Sequence, residues 1–163
     1  MLLSACGTLA PPNPPSTTAP PPAVDRRPPL ERRAALPAAL SAERQWLQSW
    51  FDGTPVLIVQ RGDGAIGIDV PIDFCFDPGQ SKVKPALGAV LDKVAESLRR
   101  VRDARLPVVA APPDADGRRA LALQRADQVR RHLRSRGVEA ARLGPASAAE
   151  ISAVQLRIDS GDD

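Results

Sequence analysis

Residues 106–138 of this 163-residue chain read LPVVAAPPDADGRRALALQRADQVRRHLRSRGV, and this stretch decides the fold. Its first six residues form an apolar run of strand length. Ala120 to Arg136 then carries apolar residues at helical spacing, and Gly137 suits the C-terminal cap of that helix. The inner stripe of the helix consists of Ala122, Ala126, Val129 and Leu133. The stretch therefore predicts a buried strand followed by an amphipathic helix.

The same two patterns recur on both sides of this stretch. Pro85 to Arg102 is the clearest helix of the chain, because its apolar residues repeat at helical spacing and Pro85 suits a first turn. Val154 to Ile158 alternates as a strand does. Val56–Val59 and Ala65–Val70 flank a Gly-rich turn and predict a hairpin. The order strand, helix, strand, helix, strand predicts an α/β (α+β) sandwich with helices packed on a sheet.

Two segments near the hairpin complete the predicted domain, which we place at residues 38–160. Ser41 to Trp50 predicts a short helix that Ser41 caps, with Leu40, Leu47 and Trp50 near one side. The segment Phe74-Cys75-Phe76 extends or follows the second hairpin strand, and we expect Cys75 to be an inert strand residue. The 43% hydrophobic content suffices for one ordinary core.

Composition excludes several functions. The net charge is only +3, three lysines are present, and aromatic residues make up 3% of the chain, so neither a basic tract nor a stacking platform for nucleic acid is expected. Neither Cys6 nor Cys75 has a partner at metal-ligand spacing, which argues against metal and redox chemistry. No nucleophile–base set or paired carboxylates stand at useful spacing, so we expect no enzyme, no catalytic residue and no cofactor. We expect the lone His132 to be solvated.

The first residues resemble the start of a bacterial lipoprotein. Leu3-Ser4-Ala5-Cys6-Gly7 matches a lipobox, in which the cysteine is acylated after cleavage, so residues 1–6 are interpreted as a signal-peptide remnant and Cys6 as the lipidation site, carrying palmitate or a similar chain. Only five residues precede Cys6, fewer than a secretory signal needs, and we expect the start codon upstream. Gly7 favours sorting to the outer membrane. The alternative is a cytosolic start with an accidental match.

Residues 7–37 hold ten of the eighteen prolines, with Ser, Thr and Ala between them. This composition predicts a disordered linker that cannot pack. In polyproline II conformation, about 30 residues at about 3.1 Å each would reach roughly 90 Å. We interpret the segment as a spacer between membrane and cell wall; a ligand for a polyproline-binding domain is the alternative.

The folded part resembles the C-terminal, peptidoglycan-associating domain of OmpA-like proteins. Residues 76–81 and 91–95 are similar to the end of a strand and the following helix in that family, where the helix has the form LxxxLdxvA. Residues 125–138 are similar to its RAxxVxxxLxxxGV pattern, and Asp114-Ala115-Asp116-Gly117 to its DxxG. The resemblance covers roughly residues 68–158 and implies a domain that binds peptidoglycan.

The resemblance also implies a site. The family's ligand is the diaminopimelate of the stem peptide, whose side-chain end carries an ammonium and a carboxylate on one carbon. Asp114 would take the ammonium and Arg125 the carboxylate. The alternatives are that Asp114 caps the next helix and that Arg125 is one of many arginines on a helix face.

This chain departs from the family pattern in the loop after the second strand of that pattern. The family's GHTD is Ala111-Pro112-Pro113-Asp114 here, and the loop is about four residues shorter than usual. Asp116 could therefore substitute for Asp114, and Arg118 occupies the position of a family asparagine, so both are further candidate ligands. The family's NRRV before the last strand is absent, with Ser152-Ala153-Val154 in its place.

Two functions follow as expectations. The first is an outer-membrane lipoprotein on the periplasmic face that binds peptidoglycan and tethers the membrane to the wall. The second is an altered OmpA-like module that serves as a protein–protein accessory subunit of an envelope-spanning secretion or efflux assembly. For the second, Trp46, Trp50 and Phe51 would mark the docking surface; simple core packing is the alternative role for these aromatics.

Overall fold

The helices and strands alternate along the chain much as the sequence predicts. The computed structural model describes residues 29–160, with side chains from residue 37 onward. The helices are α1 (Pro29–Phe51), α2 (Pro85–Arg100) and α3 (Arg119–Ser135). The strands are β1 (Leu57–Gln60), β2 (Ile66–Pro71), β3 (Arg105–Ala111), β4 (Ala146–Ala148) and β5 (Ala153–Asp159). Short 3-10 helices span Ile72–Phe74 and Ala140–Arg142.

The strands form one mixed sheet in the order β1-β2-β5-β3-β4. The pair β3–β4 is parallel, and the other neighbours are antiparallel. Leu156 of the central strand β5 lies opposite Ile68 on one side and Val109 on the other. The last strand in the sequence is thus the middle of the sheet, and this places the loop after β3 beside the residues that precede β5.

One hydrophobic core joins the helices to the sheet. The apolar stripe of α2 is fully buried at Leu87, Leu91 and Leu98, and that of α3 at Val129 and Leu133. Each such side chain contributes about 1.5–3 kcal/mol by its removal from water. The predicted α/β (α+β) sandwich is confirmed.

The predicted C-terminal cap of α3 is also confirmed. Gly137 has φ +86°. The N–H of Gly137 donates to the carbonyl of Arg134, and that of Val138 donates to the carbonyl of Leu133. This is the bonding of a helix end that terminates in a left-handed residue, which glycine adopts without strain.

Three local predictions were wrong. Helix α1 begins at Pro29, not at Ser41, and it includes Pro37, so it runs into residues that we had assigned to the linker; the Ala, Leu, Glu and Arg between the prolines are strong helix formers. Cys75 is not a strand residue, because it follows a 3-10 helix. Strand β4 was missed, since Ala146-Ser147-Ala148 carries no large apolar side chain that would give a strand pattern.

The lipobox, with Cys6, and residues 7–28 of the predicted linker lie outside the described residues. Among residues 29–160, no helix combines the length and the apolar character that a membrane crossing requires.

Candidate functional site

A tight turn between the first 3-10 helix and α2 forms one side of the candidate site. Asp77-Pro78-Gly79-Gln80 is closed by a hydrogen bond from the N–H of Gln80 to the carbonyl of Asp77, and Gly79 has φ +71°. Proline in the second position and a positive-φ glycine in the third are the pattern of a type II turn. We call residues 77–80 the Pro-Gly turn.

The Pro-Gly turn is bonded to the loop after β3. The N–H of Gly79 donates to Oδ2 of Asp114 over 2.6 Å. The other oxygen, Oδ1, accepts from Nη2 of Arg125 over 2.6 Å. Asp114 is thereby fixed by two donors from different parts of the chain, and its side chain remains 23% exposed.

Arg125 lies on the buried side of Asp114 and is 0% exposed. Besides the bond to Asp114, its guanidinium donates to the carbonyls of Gln80 (2.8 Å), Pro112 (3.0 Å) and Asp77 (3.3 Å). A lysine ammonium could not direct donors to four acceptors in this planar arrangement. Arg125 therefore joins the Pro-Gly turn, the loop after β3 and helix α3, and it is not one of the solvated helix-face arginines.

The structure brings two of the four predicted ligands together and pairs the other two with each other. Asp116 accepts from Nε of Arg118 over 2.6 Å and from the backbone N–H of Arg118, and both side chains are largely exposed. Asp114 forms no side-chain cap on α3, whose N-cap residue is Arg118. The acid that Arg125 holds is thus Asp114.

A cleft of about 550 Å³ opens in front of Asp114. Three acidic residues, Asp73, Asp114 and Glu150, line it together with apolar side chains. The apolar lining includes Ile72, Phe76, Pro78, Pro112, Pro113 and Ile151. Arg125, Asp116 and Arg118 do not line the cleft. Asp73 and Glu150 were not predicted, because they are distant in sequence and only the sheet order places them beside Asp114.

The chemistry of the cleft is that of a cation site with apolar walls. The hydrogen bond from Gly79 and then that from Arg125 lower the pKa of Asp114, so its carboxylate is charged at neutral pH. A carboxylate with two donors bound retains lone pairs for a further donor on its exposed side. In the described part of the chain, no group of three or more His, Cys, Asp or Glu side chains could hold a metal ion. An organic ammonium is the kind of group that the cleft can receive.

The prediction that His132 is only solvated was wrong, because its side chain contacts Asp92. Its Nε2 lies 2.7 Å from Oδ1 of Asp92, and the same oxygen forms an ion pair with Nε of Arg136 at 2.7 Å. Burial by itself would raise the pKa of Asp92, but His132 and Arg136 outweigh burial and lower that pKa below its ordinary value. These contacts link the end of α3 to α2.

Comparison with known proteins gives one family match. The model of the OmpA family matches residues 75–156, which is half of the chain and includes the Pro-Gly turn, Asp114 and Arg125. No curated protein matches the sequence.

Several solved structures share the fold. A MotB-like protein from Desulfovibrio vulgaris is 19% identical, with a TM-score of 0.59 over 80% of this chain and 97% of that one. The periplasmic domain of Helicobacter pylori MotB is 14% identical, with a TM-score of 0.56 over 65% and 85%. The cell wall anchor of the type VI secretion system (T6SS) from Pseudomonas aeruginosa is 16% identical, with a TM-score of 0.50 over 77% and 96%. At these identities the likeness concerns the fold.

Proposed function

Because this chain belongs to the OmpA family, a non-enzymatic family of peptidoglycan-binding domains, we propose that it is a periplasmic lipoprotein that holds the outer membrane to the cell wall. Its ligand in this proposal is the diaminopimelate of the stem peptide, bound without covalent chemistry. The observation that carries the proposal is the position of Asp114, a charged carboxylate fixed by Gly79 and Arg125 at a cleft with apolar walls.

Asp114 is the residue that meets the ligand ammonium in this proposal. Its two bound donors hold the carboxylate before the ligand arrives, so little side-chain entropy is lost on binding. Phe76 and Ile151 would contact the methylene groups of the diaminopimelate side chain. Glu150 and Asp73 add negative charge to the same cleft and favour a cationic group.

Arg125 has a positioning role and, in the fuller form of the proposal, a direct one. Its Nη2 is buried behind Asp114 and does not line the cleft, so it would receive the ligand carboxylate only by an exchange in which Asp114 moves aside. That exchange is charge-neutral, since the ligand ammonium then balances Asp114. Asp116 and Arg118 already form an exposed pair with each other, so we assign them no contact with the ligand.

Affinity for a single stem peptide should be modest, because an exposed ion pair contributes about 1 kcal/mol or less. Attachment of the chain near a polymer with many identical sites compensates, since it raises the effective ligand concentration. In this proposal Cys6 carries the lipid and residues 7–28 supply reach; α1 accounts for the remainder of the segment up to Pro37.

The direct test is sedimentation of the full chain with purified, insoluble peptidoglycan. The wild type should sediment, and Asp114→Ala should remain in the supernatant. Asp116→Ala is the matched control, because it removes the same charge from the same loop without changing the cleft. Retention of binding by Asp114→Ala, or its loss in Asp116→Ala alone, would refute the assignment.

A protein–protein accessory role remains the second candidate, and one observation favours it. Trp50 is 54% exposed and Leu57, on the edge strand β1, is 56% exposed, whereas Trp46 and Phe51 pack against the core. Exposed aromatic side chains are favoured anchors in interfaces. If this second function is correct, the chain should not sediment with peptidoglycan, or Asp114→Ala should sediment as much as the wild type does.

A further inference from the structure

A second recess lies on the other side of the Pro-Gly turn from the cleft in front of Asp114, which we call the acidic cleft. It has a volume of about 480 Å³, and its walls are residues 80–83 and one stripe of helix α3. The stripe consists of Gln128, Arg131, His132 and Ser135. We call this recess the basic groove, because Lys82 and Arg131 both line it and no acidic residue does.

The two cations of the basic groove come from separate elements. The attraction of positive charge to a helix C-terminus could account for arginines in the last turns of α3, but not for Lys82, which precedes α2. Lys82 and Arg131 are both exposed, and neither side chain forms a hydrogen bond or ion pair with any other residue between 37 and 160. His132 is held in the wall by Asp92. The groove thus presents two uncompensated charges.

The acidic cleft and the basic groove are separated by a single turn. Pro78 lines the cleft and Gln80 lines the groove, while Arg125 holds the turn from beneath through the carbonyls of Asp77 and Gln80. The ends of a β-turn are less than about 7 Å apart. An extended peptide covers about 3.3 Å per residue, so three residues can span the Pro-Gly turn.

We propose that the basic groove is a second subsite, which binds other carboxylates of the stem peptide, from residues next to the diaminopimelate whose ammonium occupies the cleft. This inference rests on the proposed function. A stem peptide carries carboxylates as well as an ammonium, and the two recesses offer the opposite charges in adjacent positions. The same cations could attract lipid phosphates, but membrane-docking surfaces combine basic with exposed apolar residues. None of the large exposed hydrophobic side chains of residues 37–160 lines the groove.

The test measures sedimentation of the full chain with peptidoglycan at several protein concentrations. The double variant Lys82→Gln/Arg131→Gln should bind about fivefold more weakly than the wild type, since each exposed contact contributes on the order of 0.5 kcal/mol. Arg102→Gln/Arg105→Gln is the matched control. It removes the same charge beyond the C-terminal end of α2, which is the opposite end of that helix from Lys82. Neither residue lines the groove, so this variant should bind as the wild type does.

Peptidoglycan whose carboxylates have been converted to neutral amides provides the complementary measurement. The wild type should bind this material more weakly than native peptidoglycan, and the double variant should bind it as strongly as the wild type does, because the carboxylates that Lys82 and Arg131 would contact are no longer charged. If the double variant binds native peptidoglycan as well as the wild type, or if the Arg102/Arg105 control is equally weakened, the inference fails while the proposed function stands.

Two further outcomes separate the remaining explanations. Failure of the wild type to sediment with native peptidoglycan would overturn the proposed function, and this inference with it. Vesicles that contain phosphatidylglycerol serve as the membrane probe. Binding to them that depends on Lys82 and Arg131, with unchanged sedimentation on peptidoglycan, would assign the groove to lipid headgroups and overturn the inference.

Discussion

Gly79 and Asp114 lie 35 residues apart in the sequence, and the backbone N–H of the first donates to Oδ2 of the second over 2.6 Å. The bond exists because the type II turn points the N–H of its glycine outward, toward the loop after β3. It makes the orientation of the candidate ligand residue depend on the conformation of a turn at the other side of the cleft.

Replacement of Gly79 by alanine should therefore weaken peptidoglycan binding. A residue with a Cβ is strained at φ +71°, at a cost of about 1 kcal/mol. Gly53→Ala is the control, because Gly53 has φ +72° and a Cβ there would also meet nothing within 4 Å. Both variants should lose similar stability in urea titrations, and only Gly79→Ala should lose sedimentation. Equal binding by the two would show that the turn does not position Asp114.

Arg125→Lys should destabilise the domain by about 3 kcal/mol. The ammonium retains the charge but cannot reach all four acceptors, and each carbonyl that loses its donor beside this buried position costs about 1 kcal/mol. The free energy of unfolding from urea titration is the measurement. Arg134→Lys, at an exposed position of the same helix, should stay within about 0.5 kcal/mol of the wild type. A similarly small loss for Arg125→Lys would contradict the role of Arg125 in joining the Pro-Gly turn and the loop after β3 to helix α3.

The stability difference between the wild type and Asp114→Asn should depend on pH. The pKa of Asp114 lies below its ordinary value of 3.8, chiefly through the N–H of Gly79 and then Arg125. A lowered folded-state pKa gives stability that is fully present above the unfolded-state pKa and is lost as the pH falls through the folded-state pKa. Thermal unfolding at a series of pH values between 7 and 2 should show a constant advantage of the wild type above about pH 5.

Below that range the advantage should shrink, because protonation removes the charge that distinguishes Asp114 from asparagine. Asp63, Asp92 and Asp116 also have lowered pKa values, but both proteins carry them and their effects cancel in the difference. An advantage that grew on acidification would be the wrong sign for this ion pair.

Cys75 should resist thiol reagents in the native protein. Its side chain is fully buried, its Sγ lies within hydrogen-bonding distance of the carbonyls of Val70 and Pro71, and burial raises the pKa of the thiol to about 12. Only on the order of one molecule in ten thousand would carry a thiolate at pH 8. In a Cys6→Ser variant, a thiol reagent should label Cys75 rapidly in urea and only slowly in the native protein. Rapid native labelling would mean that the region around residues 70–76 opens easily.

Cys6 should carry a lipid when the complete gene is expressed in a Gram-negative host. Metabolic labelling with an alkyne analogue of palmitate should mark the wild type, and Cys6→Ser should be unlabelled and released from the outer-membrane fraction. Cys75→Ser is the control, since a buried thiol offers no acylation site. Labelling that persisted in Cys6→Ser would remove the basis of the anchoring proposal.

The sequence by itself determined the types of the longer helices and strands. Burial of one face follows the local period of a helix or strand, so it is visible in the sequence. It shows in the apolar stripe with Leu87 and Leu91, in the stripe with Val129 and Leu133, and in the alternation of Val154–Ile158. The motif match likewise identified Asp114 and Arg125 as a pair, and the structure places them 2.6 Å apart. Where local signals conflicted, as at Pro37, the sequence misplaced the start of a helix.

Only the tertiary structure decided what surrounds that pair. The insertion of β5 between β2 and β3 brings Glu150 beside Asp114, and a turn 35 residues before Asp114 supplies its second donor. The tertiary structure also decided that the Arg125 side chain is buried behind Asp114 and does not line the cleft. The physical reason is that hydrogen bonds and charges act through space, while local sequence patterns record only which residues leave water, not which distant residues they then meet.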